Sequence, residues 1–105
     1  MKTRHKLTHR REHEVVTFTF RGREYLVGVG RFDDGRLAEM FIDPIKGGAD
    51  ATADARDAAV AMSIAAQYGA PVSAVREALT RNEGGEAAGV LGAALDAIVR
   101  TEVPQ

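Results

Sequence analysis

Lys46-Gly47-Gly48, with Thr52 four residues further on, has the residue types of an anion cradle. Glycines leave backbone N–H groups open to close approach, a lysine adds a point charge, and the N-terminus of a following helix favours negative charge. The chemistry would be the binding of a phosphate, and so of a nucleotide, by Lys46, Gly47, Gly48 and Thr52. The spacing departs from the Walker pattern, and Asp50, Asp54 and Asp57 bring negative charge to the same end of the helix. The glycine pair therefore also reads as a plain connection.

A second group of chemically capable residues opens the chain. Lys2, Arg4, Lys6, Arg10 and Arg11 are five cations within eleven residues, a pattern suited to phosphate-backbone or partner contact with a steep dependence on salt. No aromatic residue is interleaved for stacking, so a solvated basic leader is the competing reading. His5, His9 and His13 recur every fourth residue, the spacing at which one helix face can hold zinc. Thr8 and the lack of an apolar row argue against that helix, so no metal site is assigned.

Asp33, Asp34, Glu39 and Asp43 are close enough in sequence to suggest paired carboxylates for acid–base work. Two of them belong to a turn and two alternate along a strand, which accounts for them without catalysis. All three histidines fall within the first thirteen residues, so no serine, histidine and acid share a hydrolase-like context. No catalytic residue and no cofactor are assigned.

The elements that must position these residues follow from periodicity. Val16, Phe18 and Phe20 alternate with Val15, Thr17 and Thr19, the period of a strand, and Arg21-Gly22-Arg23 reads as a tight turn. Glu24 to Phe32 alternates again, with Gly28 and Gly30 suggesting a bulge or a close backbone approach. Asp33-Asp34-Gly35-Arg36 predicts a hairpin turn, and Leu37 to Ile42 a third strand that Pro44 ends. An Ala-rich helix is expected from Thr52 to Tyr68, capped by Thr52 or Asp54 and stopped by Gly69. A second helix would start after Pro71 and end near Arg81, and a third would run from about Ala88 to Arg100.

The expected fold is α+β: a three-stranded antiparallel meander followed by three helices packed on one face. Residues 14–101 would form the domain, with residues 1–13 a basic flexible arm and 102–105 a frayed tail. The Ala-rich helix carries small side chains around most of its circumference and would gain from burial on several sides, which points to a homodimer.

Bulk composition narrows the function classes. A chain of 105 residues suits one core, and 45% hydrophobic with 28% charged residues is ordinary for a globular domain. The sequence contains no cysteine, which excludes disulfides, thiolate ligands, iron–sulfur clusters and thiol redox chemistry carried by these residues. No run of apolar residues resembles a secretory signal or a membrane span, so a cytoplasmic location without membrane association is expected. Net charge is −1, but the first eleven residues hold five of the fourteen basic side chains and no acidic one. A basic arm precedes an acidic body.

Gly30-Arg31-Phe32-Asp33-Asp34-Gly35-Arg36, Glu39-Met40-Phe41-Ile42, Lys46-Gly47-Gly48, Ser63-Ile64 and Gln67-Tyr68-Gly69-Ala70-Pro71 occur in an order that resembles the TSCPD domain. The resemblance covers about residues 15–100. That domain is found at the C-terminal end of adenosylcobalamin-dependent ribonucleotide reductases and also as free-standing small proteins. The cysteine-bearing part of its name motif is replaced here by Gly92-Ala93-Ala94-Leu95, ahead of Asp96-Ala97-Ile98. The resemblance implies a free-standing, non-catalytic module of ribonucleotide reductase or nucleotide metabolism, binding a nucleotide or the reductase. The alternatives are a protein-interaction module unrelated to nucleotides, of mobile-element origin, or nucleic-acid binding through the arm.

Overall fold

Alternation of apolar and polar residues organises the first half of the chain as expected. The computed structural model describes residues 13–101, the two end residues by backbone alone. The five basic residues of the arm, His5, His9 and the expected tail lie outside the described residues. Strands β1 (His13–Phe20), β2 (Arg23–Arg31) and β3 (Leu37–Pro44) form an antiparallel sheet in the order β1-β2-β3. Helices α1 (Ala49–Gln67), α2 (Val72–Ala78) and α3 (Val90–Thr101) follow.

The inward face is the one the alternation marks. Phe18, Tyr25, Val27, Val29, Met40 and Ile42 face α1 and α3 in a single core. The small residues Ala55, Ala59 and Ala66 of α1 and Ala94 and Ala97 of α3 let both helices lie close to the sheet, around Met62 and Leu95. Each fully buried large side chain contributes roughly 1.5–3 kcal/mol.

Glycine marks the irregular positions. The register shifts between Gly30 and Arg31, a bulge that lets both Leu37 and Ala38 turn away from solvent. A Cβ at Gly28 would collide with the Phe41 ring, which lies across the outer face of the sheet at this point. In the β2–β3 turn, Gly35 has φ +92°, and the Asp34 carboxylate accepts a hydrogen bond from the Arg36 backbone N–H at 3.0 Å.

The helix boundaries differ from the expected ones. α1 starts at Ala49 with Gly48 as its N-cap, one turn before Thr52. The Thr52 hydroxyl and backbone N–H both bond to the Gly48 carbonyl, each at 3.2 Å, so Thr52 belongs to the helix interior and not to its cap. α2 stops at Ala78 because Leu79 turns extended and leads Arg81 into a bridge with Ala87. α3 starts at Val90, since Ala88 is taken by Thr80, whose carbonyl accepts its N–H at 3.0 Å.

The outer edge of β3 is covered by side chains of α1. Ser63 accepts a hydrogen bond from the Met40 N–H at 2.8 Å and donates to the Met40 carbonyl at 3.1 Å. Gln67, buried, donates through Nε2 to the Ala38 carbonyl at 2.9 Å. No backbone hydrogen bond among the described residues outside β2 covers the far edge of β1.

Candidate functional site

The β1–β2 hairpin has a two-residue turn, Arg21-Gly22, with φ of 52° and 75°. Positive φ at both central positions suits the twist of the flanking strands. The turn carries Arg21 to the end of the sheet, with Arg23 at the start of β2. Because Tyr25 pairs with Pro44, the same register sets Arg23 beside the Lys46 loop.

Both arginines are held in place by backbone carbonyls. Arg21 donates to the Ala88 carbonyl at 3.0 Å, and its guanidinium lies 5.1 Å from the centre of the Phe20 ring. Arg23 donates to the Lys46 carbonyl at 3.0 Å and passes over Gly47, where any Cβ would meet it. A further bond of 2.9 Å from the Ile45 N–H to the Glu24 carbonyl ties the loop to β2. Each guanidinium has five N–H donors, so one fixed donor leaves the others for a ligand.

Between these groups is a cavity of about 370 Å³ lined by Arg21, Gly22, Arg23, Glu24, Ile45 and Lys46. Three cations and one carboxylate make its lining net positive. Gly48 beside it caps α1 without any side-chain hydrogen bond, and Asp50 is the acidic residue of the helix's first turn. Lys46 therefore shares the cavity with Arg21 and Arg23, and Gly47 lies against Arg23, while Gly48 is outside the lining and the Thr52 hydroxyl is directed to the backbone. Such an arrangement can hold an anion by charge-assisted hydrogen bonds.

The other sequence candidates are dispersed. Asp34 bonds to Arg36 at 2.7 Å, and its carboxyl is held below the usual range by the Arg36 backbone N–H and then by the Arg36 side chain. Asp43 accepts from Arg56 at 2.8 Å. These carboxylates serve turn and edge contacts and do not face one another as an acid–base pair. Among the described residues no group of three His, Cys, Asp or Glu side chains is arranged to hold a metal ion. None of the described helices is long and apolar enough to cross a membrane.

Two features escape the sequence reading. Arg21 and Arg23 look like turn residues in the sequence, and only the antiparallel register brings them to Lys46. Asp96 is gripped by Arg76 and Arg81, which holds its carboxyl down to about 2. Its side chain is 15% exposed, and the cluster joins α2, the 79–89 loop and α3.

Comparison with known proteins adds a relationship. Over 79 residues, 75% of this chain, the sequence is 38% identical to the vitamin B12-dependent ribonucleotide reductase of Agrobacterium fabrum. Over 80 residues, 76% of the chain, it is 35% identical to the enzyme of the same name from Bradyrhizobium diazoefficiens. This is a reductase-related module. It corresponds to only 6% of the length of either relative. No family model and no solved structure matches the module.

Proposed function

We propose that the module is a TSCPD-like, non-catalytic accessory of ribonucleotide reduction that binds a nucleotide through its phosphates, at Arg21, Arg23 and the Lys46-Gly47-Gly48 loop. One observation carries this reading: two arginines fixed by backbone carbonyls share a cavity with Lys46 at the start of α1. The similarity to reductases supplies the metabolic setting, and the absence of cysteine from the sequence leaves these residues no thiol with which to reduce a ribonucleotide. Its protein partner in this reading is the reductase.

The test is a thermal-shift panel of ribo- and deoxyribonucleoside di- and triphosphates, repeated with Lys46→Ala and Arg23→Ala. Binding to the folded state alone raises Tm. Stabilisation by at least one nucleotide, reduced in both variants, is expected; no shift with any nucleotide would overturn the reading.

A second reading has its own observation. Val15 is 57%, Phe41 42% and Ile45 48% exposed on the sheet face away from the helices, an apolar row that suits protein docking. Under this reading a protein is bound in place of a nucleotide, and immobilised reductase retains the wild-type module but not Phe41→Asp. The salt-sensitive arm reading concerns residues outside those described, and deletion of residues 1–12 tests it directly.

A further inference from the structure

The same two arginines border a second cavity, of about 420 Å³, on the helix side of the hairpin. Phe20, Tyr25, Ala51, Asp54, Ala88 and Val90 contribute to its lining, with Arg21 and Arg23 again part of the wall. We propose that the two cavities form one cleft that takes a nucleoside polyphosphate lengthwise, its phosphates beside Lys46 and its nucleoside between the starts of α1 and α3. This rests on the phosphate reading given above and assigns the part of the ligand that reading leaves open.

The division follows from chemistry on either side of the arginines. The Lys46 cavity sets three cations, Arg21, Arg23 and Lys46, against one carboxylate, Glu24. Its neighbour has no lysine, and beside the shared arginines and Asp54 it adds apolar side chains, among them Phe20, Ala51 and Val90. A phosphate beside Asp54 would meet a like charge, whereas a neutral hydroxyl or exocyclic amine would donate a hydrogen bond to it. Lys46 at one end, and the apolar side chains with Asp54 as acceptor at the other, set the direction of the ligand. Tyr25, only 5% exposed, belongs to the core beneath the second cavity. Both volumes fall in the range of roughly 300–1,000 Å³ usual for small-ligand sites. Arg21, clamped between the Phe20 ring and the Ala88 carbonyl, stands where the phosphates join the nucleoside.

Isothermal titration with ATP, inorganic tripolyphosphate and adenosine tests the division. ATP is expected to bind about tenfold more tightly than tripolyphosphate, the ratio that a modest set of nucleoside contacts gives. Asp54→Ala, at an exposed position, should bring the two ligands to within about twofold by weakening ATP alone. Ala51→Leu, which fills the second cavity, should do the same. Equal affinities of ATP and tripolyphosphate for the wild type would overturn the lengthwise cleft and leave the phosphate reading standing. A wild-type preference for ATP that survives both substitutions would also overturn it, since the nucleoside would then sit elsewhere. Failure of all three ligands to bind would overturn the phosphate reading itself.

Discussion

Arg81 grips Asp96 through both carboxylate oxygens, at 2.7 and 2.8 Å, and Arg76 adds a third bond of 2.7 Å to the same carboxylate. Arg81 also donates to the Gly85 carbonyl at 3.0 Å, so one side chain fastens the 82–86 turn to α3. Fork-to-fork geometry of this kind is the strong form of ion pair. Asp96→Asn should therefore cost about 2 kcal/mol, because it leaves two half-buried guanidiniums facing each other without their counter-charge. Urea unfolding measures this, and an unchanged midpoint would show that the cluster is decorative.

The same carboxylate sets an acid limit. Hydrogen bonds from Arg81 and Arg76 hold Asp96 at about 2 against a usual 3.8, with burial opposing them. A depressed carboxylate contributes stability that is fully present above the unfolded value and is lost as pH falls through the folded one. The module should lose this contribution between about pH 4 and about pH 2. Chemical denaturation across that window should show a difference between wild type and Asp96→Asn that shrinks as the pH falls.

Ser63 is expected to act through the β3 backbone. Ser63→Ala removes both bonds to Met40 and should cost about 1 kcal/mol. Gln67→Leu leaves the Ala38 carbonyl without its Nε2 donor and should cost a similar amount, about 1 kcal/mol. Guanidinium melts of the two single variants and the double variant check both figures; two effects that vanish would mean that water replaces these side chains freely.

Val60 and Ile64 on α1 and Tyr68 at its C-cap follow at four-residue spacing and are 56%, 40% and 42% exposed. Within one copy α1 buries a single face, so the homodimer expected from its composition would use this stripe. Sedimentation velocity should show a dimer that Ile64→Glu converts to monomer. A wild type that stays monomeric at every accessible concentration would remove the dimer.

Much of the fold was legible because the strands alternate cleanly and Gly22, Gly35 and Gly69 each occupy positive φ at a turn or helix end. The start of α1 was not, because Thr52 has the chemistry of a cap and only the extended backbone of Gly48 shows where the helix begins. Lys46, Gly47 and Gly48 could be picked out as an anion loop from residue type alone. Arg21 and Arg23 join them by a strand register that no local pattern encodes. Asp96 was equally hidden, since its partners Arg76 and Arg81 are brought to it by the packing of separate elements.

The sealed edge of β3 has a consequence for how copies of this sheet can meet. A sheet with two open rims can add strands at both ends and grow without limit, the route to fibres. Here Ser63 and Gln67 occupy one rim, and among the described residues β1 is the edge left for another strand to add. Pairing of β1 with β1 of another copy would use up the remaining rim of each and stop at two. Assembly by strand addition is thereby self-terminating, and opening the β3 rim with Gln67→Leu would remove part of that brake.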